Sequence, residues 1–156
     1  MIETNKDKLV KMAVSAAVNH PSARRGYRTD FDGNPRIGLG MSGVKYNVAV
    51  GDPTYGMENE EHVEPGLSIS NPDKAEGGAL SVLACIGNEV KMTNGDAKGS
   101  NGRITGKHGS FIVHFNQDDK ENIIPGDKVL VKAWGTGLKI NGFEETVRVN
   151  KIDPEL

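Results

Sequence analysis

Glycine and proline punctuate this chain so often that they restrict what it can fold into. Twenty glycines and seven prolines occur in 156 residues, and glycine at that frequency favours tight turns over long helices. The segments between the turns carry apolar residues at every second position, as in Val129, Val131 and Ala133, which is typical of half-buried strands. Short strands separated by turn residues predict a mainly β fold: a small β-barrel or sandwich with one short helix and long irregular loops.

Length and charge narrow the class of protein further. A chain near 150 residues has the usual size of one hydrophobic core, so we expect a single β-rich domain over residues 1–156. The 19 basic and 21 acidic residues give a net charge of −2, which argues against nucleic acid as a partner because phosphate binding needs a basic face. The polar N-terminus and the lack of any long apolar run argue against a signal peptide and a membrane partner. We expect a cytoplasmic protein.

The first third of the chain predicts two strands separated by a long loop. Residues 10–18 alternate apolar and polar positions, although a helix with Met12 and Ala16 on one face is the alternative. Residues 44–50 alternate in the same way and predict a second strand. Between them, residues 19–43 are predicted to be irregular and carry four arginines. A loop of that length is functional, docked on a partner, mobile, or a solvated basic loop.

A short helix is predicted over residues 79–86. Leu80 and Leu83 have helical spacing, and Gly87 is a natural stop for a helix. The two glycines just before this segment weaken any longer helix. Cys85 lies within it, and a single cysteine in such an apolar segment is better explained as a small core residue than as a nucleophile.

Turn chemistry in the second half predicts further hairpins. The dipeptides at 94–95 and 101–102 are both Asn-Gly, which fits a tight hairpin turn. Residues 111–115 predict a strand in which His114, flanked by aromatic residues, is a packed structural histidine. Residues 138–151 predict two more short strands around another Asn-Gly turn.

The stretch 95–109 is the strongest candidate for a functional site. It combines five glycines with four basic side chains, and successive amide groups in glycine turns can form a concave site for an anion. We therefore predict a phosphate or carboxylate site in which Lys107 and His108 contact the ligand, Lys98 is a second cation and Asp96 is a polar orienter. The alternative is a pair of glycine-rich hairpin loops with solvated lysines.

Known motifs do not extend this prediction. The string GRITGKH has three residues between its glycines and a histidine after the lysine, so it is not a Walker phosphate loop. His62 and Glu64 have the spacing that begins a zinc deaminase signature, but the Pro-Cys-x-x-Cys half of that signature is missing. The sequence predicts no metal site and identifies no cofactor.

Several strings of the chain together resemble a known family. They are YNVAVGDP, HVEPGLSI, LACIGNEV, GDAKG, GRITGKHG and PGDKVLVKAWGTGLKI, and they follow one another in the family's order. Over residues 9–156 the chain is similar to a prokaryotic family catalogued as a domain of unknown function. The resemblance implies a β-rich fold that contains a barrel, and it implies no established activity. Members are typically longer, so the chain resembles the N-terminal half of a family protein, which implies a second chain or a homo-oligomer as partner.

Two functions are consistent with these features. The first is a β-barrel module for ligand binding or assembly that acts with a partner chain or as a homo-oligomer. The alternative is an enzyme for an anionic small molecule, in which His108 moves a proton and Lys107 stabilises charge.

Overall fold

The fold consists of short strands, and two helices lie between strands along the chain. The computed structural model describes residues 2–29, 31–39, 43–50 and 64–156. In this part of the chain the strands are β1 (Met12–Val18), β2 (Ala23–Thr29), β3 (Pro35–Leu39), β4 (Val44–Lys45), β5 (Gly66–Ser70), β6 (Glu89–Met92), β7 (Asn101–His108), β8 (Ser110–His114) and β9 (Lys128–Ala133). The helices are α1 (Lys74–Leu83), the single-turn α2 (Gln117–Lys120) and a 3-10 turn over Lys6–Lys8.

Six of these strands close into an antiparallel barrel in the order β1-β9-β6-β7-β8-β5. The ring closes where Ala17 and Val18 of β1 lie opposite Ser70 and Ile69 of β5. The short β4 pairs with β5 outside the ring, and β2 with β3 forms a separate two-stranded sheet. The prediction of a mainly β fold with a small barrel and one short helix is confirmed.

Alternating apolar residues fill the inside of the barrel. Val14 and Ala16 of β1 are buried, and Val131 of β9 lies opposite both Val14 and Val90 of β6. Burial of this apolar surface stabilises the folded state by about 25 cal/mol per Å². The strand predicted over residues 10–18 is confirmed for Met12–Val18 and its helical alternative is wrong, because the period of two matches the inner and outer faces of a barrel strand.

Gly102 is a strand residue rather than a turn residue. The hairpin turn predicted there is wrong, since β7 begins at Asn101. A Cβ atom on Gly102 would lie 2.8 Å from the ring of Phe115, so the glycine allows that ring to pack directly on the β7 backbone. The other Asn-Gly pair lies in the connection over 93–100, where Gly95 has a left-handed φ of +71°. That connection is longer than the tight turn that the dipeptide predicts.

Helix α1 begins and ends earlier than the predicted residues 79–86. Its N-cap is Asp73, whose side chain accepts hydrogen bonds from two backbone N–H groups of the first turn. This cap offsets the weakening effect of the two glycines inside the helix. Gly77 is required there, because a Cβ atom would lie 2.8 Å from the carbonyl oxygen of Asn71.

A lysine from the C-terminal segment holds the other end of α1. The helix ends at Leu83, and the ammonium group of Lys151 donates hydrogen bonds to the last turn. Its acceptors are the carbonyl oxygens of Ser81, Val82 and Ala84. Because these carbonyls have no partner within the helix, the lysine replaces the Gly87 stop that the sequence predicts. Cys85 follows the helix and is fully buried, so its prediction as a core residue is confirmed and its placement within the helix is wrong.

Residues 23–39 form a hairpin where the sequence predicts an irregular loop over 19–43. Arg28 of β2 lies opposite Arg36 of β3 in the antiparallel register. The connection contains Gly33, whose φ is +84°. The predicted loop is wrong for this part of the chain. Strand β2 is rich in arginine and lacks apolar alternation, so the signal is confined to Ile37 and Leu39 of the short β3 and to the Asp-Gly dipeptide at the turn.

Strand β4 covers only the first two residues of the strand predicted over 44–50, so that prediction is wrong for the remainder. Side chains of α2 hold this segment instead of a neighbouring strand. The Gln117 side chain donates to the carbonyl of Tyr46 at 2.9 Å, and Lys120 Nζ donates to the carbonyl of Val48 at 3.4 Å. These two carbonyl groups are therefore satisfied by side chains in place of a strand ladder.

Two predictions for the second half are also wrong. His114 points away from the barrel and is exposed, while Val113 beside it is fully buried. Residues 138–151 contain turns rather than strands. The isolated β-bridges in the described part of the chain include one beside this segment, between Ile86 and Ile152. The alternation in this segment is too interrupted by Gly142 and its neighbours to sustain a ladder.

A buried asparagine connects the barrel to the C-terminal segment. Asn88 has no exposed surface, and its Oδ1 accepts hydrogen bonds from the backbone N–H groups of Cys85 and Trp134 at 2.8 and 3.1 Å. Its Nδ2 donates to the carbonyl of Trp134 and to Oδ2 of Asp153 at 2.7 and 2.8 Å. Every hydrogen-bonding capacity of this amide is therefore used.

We expect Asn88→Ala to lower the free energy of unfolding by about 3 kcal/mol, because two buried N–H groups lose their acceptor. Urea denaturation measures the change. The matched control is Asn101→Ala at an exposed strand position, where we expect a change within about 0.5 kcal/mol. Equal stability of the two variants would contradict this role of Asn88.

Candidate functional site

Strand β7 separates the four residues of the predicted anion site into two pairs. Asp96 and Lys98 lie exposed in the connection before β7, whereas Lys107 and His108 are its last two residues. At about 3.3 Å per residue, a strand of this length places the two pairs about 20 Å apart. The structure does not bring the four side chains together, so a small anion cannot contact all of them at once.

Lys107 and His108 also face different neighbours. Lys107 Nζ donates a hydrogen bond to the hydroxyl of Ser81 on α1 at 2.6 Å and lies 5.1 Å from the centre of the Phe111 ring. His108 Nδ1 lies 2.5 Å from Oε1 of Glu64. Successive side chains of a strand point to opposite sides, and these contacts follow that rule.

A cleft of about 310 Å³ lies beside Lys107, between α1 and the β7–β8 hairpin. Its polar lining consists mainly of Ser70, Asn71, Ser81, Lys107 and Ser110, and its apolar lining includes Leu80 and Phe111. Lys74 and Asp73 also reach it, so the charged side chains in the lining are two cations and one carboxylate. That balance is positive, which suits a ligand with negative charge.

Hydrogen bonds orient the hydroxyl groups of this cleft. Asn19, which follows β1, donates from Nδ2 to Ser110 Oγ at 2.9 Å and accepts at Oδ1 from Ser70 Oγ at 2.5 Å. The two serines lie on β8 and β5, so a single amide bridges neighbouring barrel strands. Sequence reasoning missed these residues because isolated serines carry no motif, and only the strand pairing brings them together.

Glu64 and Lys45 form a buried charged pair behind His108. Glu64 is 8% exposed as a residue, and its Oε2 lies 3.9 Å from Nζ of Lys45. The Lys45 ammonium group is buried and has no hydrogen-bond partner within the described ranges. Burial lowers the pKa of Lys45, and the charge of Glu64 offsets part of that effect. His62, the other residue of the His-x-Glu pattern, lies outside the described residues.

Two other groups near α1 are perturbed by burial. Burial raises the pKa of the Cys85 thiol, although the Thr136 hydroxyl acts in the opposite direction. Burial also lowers the pKa of Lys151. A thiol with a raised pKa is a poor nucleophile, which agrees with the core position of Cys85.

The described part of the chain contains no group of three or more His, Cys, Asp or Glu side chains placed to hold a metal ion. It also contains no helix with the length and apolar character that a membrane crossing requires.

The fold and the cleft define a β-barrel domain with a polar cleft at one side. The family model described as "Domain of unknown function (DUF4438), N-terminal" matches residues 27–156, and the chain belongs to that family. The resemblance noted from the sequence is thereby confirmed. The crystal structure of TM1086 is similar, with a TM-score of 0.88 and 42% sequence identity over 99% of this chain and 55% of TM1086. No curated protein matches the chain.

The lowered pKa of Lys45 predicts a specific pH dependence of stability. Because the folded state binds this proton less tightly than the unfolded state, the unfolding free energy should rise as the pH increases from neutral towards the ordinary lysine pKa of 10.5. The difference in unfolding free energy between the natural protein and Lys45→Met isolates this contribution and should shift in favour of the natural protein over that range. Lys91→Met, at an exposed lysine, is the matched control, and parallel curves for the natural protein and Lys45→Met would contradict the prediction.

Proposed function

We propose that this β-barrel domain is a ligand-binding module that takes a small anion, a phosphate or a carboxylate, in the cleft beside Lys107. The observation that carries the proposal is the position of the Lys107 ammonium group. It lies in the same cleft as the hydroxyls of Ser81 and Ser110, whereas the Ser70 hydroxyl, which also lines the cleft, donates its hydrogen to Asn19. An ammonium group and hydroxyls that line one small space are the donors that an oxyanion requires.

Existing contacts keep these donors in place before a ligand arrives. Lys107 is held by the Ser81 hydroxyl at 2.6 Å and by the Phe111 ring, and Asn19 fixes the other two serines. Donors that are already oriented lose less conformational entropy on binding. This preorganisation therefore favours an anion-binding role for Lys107 over the role of a merely solvated lysine.

The same geometry supports a binding module over the alternative of an enzyme that uses Lys107 and His108 together. His108 contacts Glu64 at 2.5 Å on the other side of the strand from Ser81. A substrate held by Lys107 in the cleft would be out of reach of His108 for direct proton transfer, which needs heavy atoms about 2.6–3.2 Å apart.

We also propose that the domain acts with a partner chain or as a homo-oligomer. The chain spans 55% of the length of TM1086, and the family model is that of an N-terminal domain. Both facts support further polypeptide as part of the working protein. A cytoplasmic location stays a prediction.

Titration with inorganic phosphate and with acetate tests the anion cleft. We expect Lys107→Ala to weaken binding by about tenfold or more, since a hydrogen bond to a charged group contributes about 1.5–3 kcal/mol. Lys98→Ala is the matched control and should bind as the natural protein does, because Lys98 lies at the far end of β7. Chemical shifts of the backbone amides near Ser110 report the position of the anion. Equal affinity of Lys107→Ala and the natural protein, or no binding of either anion, would overturn the proposal.

Native mass spectrometry, alone and with a candidate second polypeptide, tests the partner proposal. We expect an oligomer or a defined complex. A monomer that remains unchanged with every partner tried counts against it.

A further inference from the structure

A second cleft lies on the outside of the barrel, across β1, β6 and β9. It has a volume of about 270 Å³, and its lining includes Lys11, Met12, Lys91, Leu130 and Lys132. Lys128 lies on the same outer face of β9, two residues before Leu130. We call these six residues the lysine face.

The lysine face concentrates positive charge in a chain whose net charge is −2. Its four lysines are exposed, and the acidic residue that lines the cleft with them is Glu89. Glu89 pairs with Lys132 at 3.7 Å, with both side chains largely exposed, so the pair contributes little and can exchange partners. Lys91 and Lys128 form no side-chain hydrogen bond or ion pair with any other described residue.

An exposed apolar side chain lies between two of these cations. Leu130, between Lys128 and Lys132, is 39% exposed. The outer face of β9 therefore carries lysine, leucine and lysine at every second residue, from Lys128 to Lys132. The two lysines are four residues apart, or about 13 Å at ~3.3 Å per residue.

We propose that the lysine face binds an extended acidic polypeptide segment of a partner protein, in which two acidic residues flank an apolar one at every second position. In an extended segment, residues i, i+2 and i+4 share one side and have the same spacing as Lys128, Leu130 and Lys132. Two carboxylates then meet the two lysines while the apolar side chain covers Leu130. The segment's charge complements that of the face, which steers association and fixes its register.

The surroundings favour a polypeptide over single-stranded nucleic acid. Recognition of single-stranded nucleic acid relies on exposed aromatic platforms for the bases, and the aromatic residue that a lysine of this face contacts is Trp134. It is only 9% exposed, and the ammonium group of Lys11 lies 3.7 Å from its ring centre. The inference rests on the partner chain of the proposed function and is independent of the anion cleft.

A synthetic peptide tests the inference directly. The probe is a seven-residue peptide in which threonines alternate with glutamate, leucine and glutamate, and the control peptide has serine in place of leucine. Because Trp134 is the single tryptophan of the chain and lies under Lys11, its fluorescence reports displacement of that lysine. We expect the leucine peptide to bind, the serine peptide to bind more weakly, and both to weaken with added salt.

Charge reversal locates the binding surface. We expect the double variant Lys128→Glu and Lys132→Glu to bind the leucine peptide with an affinity lower by about tenfold or more, because two attractions become repulsions. The matched control reverses Lys98 and Lys139, two exposed lysines elsewhere, and should bind normally. Phosphate binding at Lys107 is measured in the same variants and should be unchanged, which separates failure of this inference from failure of the anion cleft.

Four results would overturn the inference. They are no binding of the leucine peptide, equal binding by the lysine-face variant and its control, displacement of the peptide by oligothymidylate, and self-association in native mass spectrometry that only the lysine-face variant loses. The third would assign the face to nucleic acid, and the last would assign it to a second copy of this chain.

Discussion

Closure of the barrel between β1 and β5 is the contact on which the rest of the structure depends. Only two residue pairs form this closing ladder, and a neighbouring backbone hydrogen bond from Asn19 N–H to the Ser68 carbonyl reinforces it. A closed barrel has no free edges to pair with other chains. The same closure brings Asn19 between β5 and β8, so the junction that completes the barrel also builds one wall of the anion cleft.

The sequence predicted the parts of the fold that depend on alternation. The strands around Val14 and Val131 were predictable because one face of each fills the barrel and the other meets solvent. Elements that depend on single contacts could not be predicted from the sequence. Gly102 has the local chemistry of a turn, yet it lies in a strand because the ring of Phe115 occupies the place of its side chain. The start of α1 likewise depends on the cap at Asp73, which outweighs the glycines that follow it.

The candidate site was predictable only in part, for a related reason. Lys107 stands out in the sequence because cations and glycines cluster around it. Proximity in the chain, however, did not become proximity in space, since the residues between Lys98 and Lys107 form an extended strand. The serines of the cleft come from β5, α1 and β8, and no short motif can join residues so far apart in the chain.

The position of Ser81 links the cleft to the end of the chain. Its hydroxyl accepts a hydrogen bond from Lys107, and its carbonyl accepts one from Lys151, so two ammonium groups meet at one helical turn. Their mutual repulsion contributes to the lowered pKa of Lys151, after burial. Negative charge placed beside Lys107 would offset that repulsion, so an anion in the cleft would also favour the charged form of Lys151, whose hydrogen bonds hold the end of α1.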